Sequence, residues 1–227
     1  MAQRTLIVAA HPDDEVLGCG GTIAKLVDGG ACVSVIFLAD GVSSREIDGD
    51  SYLQELTVRR RAAQNACRIL GIDSVEFCDF ADNRMDSVPI LDIVRVVEGS
   101  IAKCQPKMVI THHIGDINID HRRTHEAVLT ACRPQRGHPV KTIMSFEVPS
   151  STEWQVPSSG LTFVPNCFVD VTETFERKMR ALEAYADELR DWPHPRSIKG
   201  VESLNRWRGA TIGVDAAEAF CLERHIV

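Results

Sequence analysis

The sequence predicts an α/β fold with three layers, α/β/α: a mostly parallel sheet covered by helices on both faces, in one domain over residues 1–227. Three observations predict it. Strand-like runs alternate with helical patterns through the first half of the chain, as in parallel sheets built from crossover units. Those runs are solidly apolar, as strands buried on both faces are. The 227 residues, 44% hydrophobic and 25% charged, suffice for one large core. The same composition excludes disorder, collagen and coiled coil.

Thr5–Ala10 reads as a buried strand. Leu17–Asp28 reads as a helix ended by Gly29-Gly30, and Cys32–Ala39 as a second strand. Tyr52–Leu70 is a long helix stopped by Gly71, and Ser74–Phe77 a short third strand. Pro89 opens a helix to about Cys104, at a first turn where its missing N–H costs little. Met108–His112 is a fourth strand, and Arg122–Cys132 a helix followed by Pro134. Thr142–Val148 reads as a strand, Ser150–Gly160 as a Ser/Pro-rich loop, Phe168–Val171 as a strand and Thr174–Arg190 as a helix. Pro193, Pro195 and Gly200 break the chain. Glu202–Trp207 and Ala216–Cys221 read as two short helices or as a helix and a strand, and the pattern does not separate these.

Charge and patterning exclude several classes. Lys and Arg total 25 against 32 Asp and Glu, a net charge of −7, and the one dense basic run, Arg59-Arg60-Arg61, lies inside a helix. No nucleic-acid partner is expected. No apolar run approaches the ~18 residues of a membrane helix. Thr5–Ala10 is too short for a signal core and leads straight into charged residues. The eight cysteines form no C-x-x-C pair and several fall in apolar patterns, as thiols do in a reducing compartment. The expectation is a cytoplasmic protein whose oligomeric state, a homo-oligomer included, stays open.

Two clusters carry chemistry. His11-Pro12-Asp13-Asp14-Glu15 follows the first strand directly, where open α/β sheets bind ligands. His11 and Asp14 can converge on one cation, which would also relieve repulsion among three acids. A helix N-terminus would use one acid for capping, not three and a histidine. The second cluster, His112 to His125, follows the fourth strand on the same rim and holds four of the eight histidines. His121 and His125 have the i, i+4 spacing of a metal pair, and Asp120 beside His121 could orient a ligand from behind. Histidine and carboxylate donors without thiolate suit zinc, with iron, cobalt or nickel as substitutes. Three protein ligands would leave an open position for water, as catalytic sites do.

Other motifs fail. Gly18-Cys19-Gly20-Gly21 lacks the third glycine of a dinucleotide fingerprint, which would fall at Ile23, and the acids upstream would repel a pyrophosphate. Its glycines are expected to permit close helix–strand packing. There is no Walker A sequence and no G-x-S-x-G elbow.

The run Ala10-His11-Pro12-Asp13-Asp14-Glu15 followed by Gly20-Gly21-Thr22 resembles the LmbE-like, or PIG-L-type, zinc N-deacetylases. Ala39-Asp40-Gly41-Val42, Asp82-Asn83-Arg84, Asn118-Ile119-Asp120-His121-Arg122 and Ala217-Glu218-Ala219-Phe220 resemble the same family, so the likeness spans nearly the whole chain. The resemblance implies a Rossmann-like fold with the metal site at the C-terminal ends of the strands. It implies Zn²⁺ as cofactor and hydrolysis of the N-acetyl group of an amino sugar or sugar conjugate. It makes His11, Asp14 and His121 the metal ligands and Asp13 the general base, with Asp120 bracing His121.

One position departs from the family pattern. Many members carry His-Pro-Asp-His in the second motif, where the leading histidine helps stabilise the oxyanion; here that place is Asn118. Asparagine can donate a hydrogen bond without supplying a full charge. The expected replacement is His194, held between Pro193 and Pro195. The competing expectations are a zinc amidase acting on a non-sugar N-acyl group and a non-catalytic sugar- or metal-binding protein. The second is disfavoured because a binder needs no base beside its metal. Substrate contacts are expected from the loops Ser43–Tyr52 and Ser150–Gly160.

Overall fold

A computed structural model describes residues 3–45, 49–157 and 160–227; positions 46–48 and 158–159, within the two loops expected to touch substrate, lie outside the described residues. The apolar run of β1 (Arg4–Ala9) is buried on both faces. Leu6 and Val8 join Ile36, Leu38 and Val109 on one side, while Ile7 and Ala9 join Val33, Val35 and Phe37 on the other. This alternation follows from the two-residue period of a strand. The first face is covered by α3 (Ile90–Cys104) and α4 (Ile119–Ala131). The second is covered by α1 (Asp14–Asp28), α2 (Gly49–Leu70) and α5 (Phe175–Glu183). The three layers are those expected.

The remaining strands are β2 (Cys32–Ala39), β3 (Ser74–Phe80), β4 (Met108–His112), β5 (Thr142–Phe146), β6 (Cys167–Asp170) and β7 (Ala217–His225). Their order is β3-β2-β1-β4-β5-β7-β6. The first five are mutually parallel, and β7 runs antiparallel to both neighbours. The chain leaves β1 toward β2 on one side and later returns to β4 on the other. Such a reversal opens a crevice beyond the carboxyl ends of the two central strands.

Several boundaries differ from expectation. The helix α6 (Ile198–Ile212) is longer than Glu202–Trp207, and Ala217–His225 is a strand. The pattern from Thr174 to Arg190 is not one helix: α5 stops at Glu183 and a 3-10 turn follows at Ala186–Glu188. Between them Tyr185 leaves helical geometry (φ −99°, ψ 38°). This buries its ring completely and lets its hydroxyl donate to Glu15 Oε1 at 2.6 Å.

Helix α1 is broken at Cys19 (φ −148°, ψ 23°). The backbone groups freed there find buried partners: Leu17 O accepts from Lys178 Nζ at 3.0 Å, and the N–H groups of Gly21 and Thr22 donate to the Glu218 carboxylate. Lys178 and Glu218 meet at 2.6 Å with both side chains buried. Gly18 and Gly21 have no room for a side chain; an added Cβ would lie 2.2 Å from the Phe146 ring and 2.8 Å from Val171. Close packing, as expected, is what these glycines provide.

Candidate active site

The crevice at the ends of β1 and β4 gathers both sequence clusters. His11 and Asp13 lie in the turn between β1 and α1, with Asp14 opening the helix. Asp116, Asn118, Asp120 and His121 come from the β4–α4 connection and the first turn of α4. Asp82 arrives from the turn after β3. His11, Asp13, Asp14, Asp82, Asn118, His121, Trp154, Glu188 and Arg196 are among the residues lining a cavity of about 400 Å³.

Three donor atoms converge. His11 Nδ1 lies 3.3 Å from Asp14 Oδ2 and 3.3 Å from His121 Nε2, and the third edge, His121 Nε2 to Asp14 Oδ2, is 3.4 Å. A tetrahedral ion with bonds of about 2.0–2.1 Å needs donor atoms about 3.3–3.4 Å apart. The outer nitrogens fix the tautomers. His11 Nε2 donates toward Asp120 Oδ2 at 3.1 Å and Asp82 Oδ1 at 3.0 Å, and His121 Nδ1 donates to Asp116 Oδ2 at 3.0 Å. The inner nitrogens therefore turn lone pairs toward each other and toward a carboxylate, an arrangement that a cation at their centre satisfies. The residues fit a metal ion.

Electrostatics agree. Burial opposes protonation of His11, yet hydrogen bonds to Asp120, Asp14 and Asp82 hold the imidazole well above its ordinary range. Burial likewise opposes protonation of His121, and Asp14 and Asp116 raise it to about 9. Against the upward push of burial, His121 and His112 keep Asp14 well below the usual carboxylate range, and His121 with its neighbours brings Asp116 to about 2. The cluster is built to hold positive charge.

Asp13 stands apart from the triangle. It occupies the cap position of α1, but its side chain makes no cap bond, so the capping alternative does not describe it. Its backbone (φ 124°, ψ −27°) is strained, and its N–H donates to Glu15 Oε2. Burial raises its pKa above the usual carboxylate range, with Arg59 opposing and Asp14 reinforcing the shift. Asp13 Oδ2 lies 3.2 Å from Arg59 Nη2 and 3.6 Å from Arg196 Nη1. Arg59 is pinned in turn by Glu188, which also binds Arg45 at 2.6 Å. Glu15 rises to about 8, driven by burial against the Tyr185 hydrogen bond.

The sequence expectations divide here. His11, Asp13, Asp14, Asn118, Asp120 and His121 come together. Asp120, fully buried, braces His11 and accepts from the N–H groups of Asn83 and Met85, so the expected Asp120–His121 pairing is corrected. Consecutive helical residues do not face each other, and Asp116 takes that place at His121. His125 uses Nδ1 to bond His112 O, one turn away from the triangle. Asn118 caps α4 through its side-chain oxygen, which accepts from Asp120 N. Among the described residues His194 does not line the cavity; its Nδ1 accepts from the backbone N–H of Arg196, and Arg196 lines it instead. Asp116, Arg59, Glu188 and Arg196 were not singled out in the sequence, because each is placed by contacts between distant segments.

A buried His/Asp/His triangle with a carboxylate beside it, at the switch point of a parallel sheet, defines a metal-dependent hydrolase. The family described as GlcNAc-PI de-N-acetylase (PIG-L) matches residues 6–132, more than half of the chain, and the protein belongs to it. The chain is 29% identical over 186 residues to the uncharacterized deacetylase YaiS of Escherichia coli, covering 79% of this chain and 89% of that one. It is 29% identical over 201 residues to diacetylchitobiose deacetylase of Thermococcus kodakarensis, covering 82% and 70%. The 4-oxalmesaconate hydratase of Pseudomonas putida matches at 28% over 211 residues, covering 85% and 76%. The structure of N,N'-diacetylchitobiose deacetylase from Pyrococcus horikoshii shares the fold, with a TM-score of 0.80 at 22% identity over 98% of this chain and 84% of that one.

Proposed function

We propose that the protein is a zinc-dependent hydrolase that removes the acetyl group from an N-acetylated amino sugar or sugar conjugate. The observation that carries this reading is the triangle of His11 Nδ1, Asp14 Oδ2 and His121 Nε2, with Asp13 beside it and outside it. Two nitrogens and one carboxylate oxygen suit zinc. The relatives named as sugar deacetylases support the substrate class.

Bound there, zinc would lower the pKa of water toward about 7 and polarise the amide carbonyl. Asp13 accepts the proton of the attacking water on its carboxylate. It passes that proton to the nitrogen of the breaking C–N bond, so the amine leaves neutral and the acetyl group leaves as acetic acid, which then loses its proton to give acetate. Arg59 and Glu188 hold Asp13 in place. Asn118, its oxygen committed to Asp120 N–H, has its amide N–H₂ left to donate to the developing oxyanion. Asp120 and Asp116 orient His11 and His121. The whole span 1–227 acts as one domain, since Glu188 and Arg196 wall the same cavity as His11. We place it in the cytoplasm, on the reading of its cysteines as core hydrophobes; Cys19, Cys67 and Cys132 are buried thiols.

The hydratase relative raises a second reading, water addition without a leaving group. One experiment separates the two. Zinc-loaded protein is incubated with a panel of N-acetylated sugars, and acetate and free amine are measured together. Equimolar release supports the proposal; a fully zinc-loaded protein that releases acetate from none of them overturns it.

A further inference from the structure

We propose that Trp154 and Arg196 form a clamp for the pyranose ring that carries the acetamido group, and that His194 is the residue that positions both. The inference rests on the reading of the chain as a sugar deacetylase and adds a ring-recognition subsite to it.

The cavity is lined mainly by charged and polar groups. Three large apolar side chains interrupt that lining: Val148, which is buried, and Ile117 and Trp154, each 50% exposed. Their segments adjoin, because Ile117 N–H donates to Ser151 O. A half-exposed indole on the wall of a polar cavity suits a ligand with one apolar face and a polar edge. A pyranose is such a ligand, with C–H groups on its face and hydroxyls around its rim.

Arg196 supplies donors for that rim. Its Nε is held by Ser150 Oγ at 3.0 Å, and its Nη1 stands 3.6 Å from Asp13 Oδ2, beyond hydrogen-bonding distance. The side chain is 30% exposed, against 6% for Arg59, which is wedged between Asp13 and Glu188. Of the two arginines beside Asp13, Arg196 is the one more open to a ligand.

Both walls are fixed before any ligand arrives. The His194 ring meets Trp154 in a T-shaped contact, centroids 5.7 Å apart at 86°, and its Nδ1 accepts from Arg196 N–H at 3.1 Å. The 3-10 turn Thr152–Trp154 is tied down where Thr152 Oγ1 donates to Asp116 Oδ2 at 2.7 Å. Asp116 is also the partner of His121, so the clamp is referenced to the reacting centre.

The test compares a methyl pyranoside of N-acetylglucosamine with N-acetylethanolamine, which has the acetamide but no ring. Trp154→Ala and Trp154→Leu should raise KM for the pyranoside about 3- to 10-fold, with kcat and the KM for N-acetylethanolamine unchanged. His194→Ala should do the same. His194→Asn, which keeps an acceptor for Arg196 N–H, should recover part of the loss. Equal losses on both substrates, or none on either, would overturn the clamp. If the wild type releases acetate from neither compound, the deacetylase reading fails separately. Saturation-transfer NMR on the zinc-loaded protein then decides the clamp: ring protons saturated in the wild type and silent in Trp154→Ala support it, and no ring saturation in the wild type ends it.

Discussion

Asp116 and His121 meet at 3.0 Å, carboxylate Oδ2 to imidazole Nδ1, across the turn that carries the chain from β4 into α4. That contact leaves Nε2 of His121 as the lone-pair nitrogen facing the triangle. Asp116→Asn can present the wrong group to Nδ1 and removes the charge that raises ligand basicity. Loss of such a partner typically weakens metal affinity about 10- to 100-fold. Competition against a chromogenic chelator should give a zinc Kd raised by that factor, and an unchanged Kd would remove Asp116 from the site.

The ligand set makes a sharper prediction. Alanine at His11, Asp14 or His121 should strip zinc from the purified protein, as measured by elemental analysis. His125→Ala should retain it, because His125 bonds the His112 carbonyl and lies outside the triangle. It should instead lower the denaturation midpoint, since a buried acceptor loses its partner at about 1–3 kcal/mol. Full occupancy in His121→Ala with loss in His125→Ala would reverse the assignment.

These two predictions mark where the sequence was legible. The parallel strands were, because burial leaves solid apolar runs, while antiparallel β7 was not separated from a helix; the first motif was, because its donors are contiguous. The partners of the ligands were not. Asp120 precedes His121 in the chain, but helical geometry turns it toward His11, 109 residues away. Arg59 sits in the one dense basic run, on α2, where nothing in the local pattern marks it out, yet it is 6% exposed and bound to Asp13 and Glu188. His194 was sought in the right segment, but its ring nitrogen closes a local turn and the side chain two residues on enters the cavity. Such side chains are placed by contacts between segments far apart in sequence, which local pattern does not encode.

Asp13→Asn separates chemistry from metal binding. Asp13 Oδ2 faces Arg59 and Arg196 and takes no part in the triangle. Zinc content should therefore stay at the wild-type level. A positioned general base typically contributes about 10²–10⁴-fold, and acetate release should fall within that range. Near-normal turnover would show that another group accepts the proton.

The buried pair of Lys178 and Glu218 supports the site from behind. It lies where α1 breaks at Cys19, and its two charges take up a carbonyl and two N–H groups that the break frees. Lys178→Met preserves chain length and apolar stem but leaves Glu218 with an uncompensated charge, both side chains being almost wholly inaccessible. Removing one partner of such a pair typically costs about 3–5 kcal/mol. Urea denaturation should show a loss of that size with the m-value unchanged. Adding Glu218→Gln in the Lys178→Met background removes the stranded charge and should recover part of the loss, although one amide oxygen then serves two N–H groups. If the double variant is no more stable than Lys178→Met, the cost lies in the unpaired Leu17 carbonyl and in packing rather than in a stranded charge.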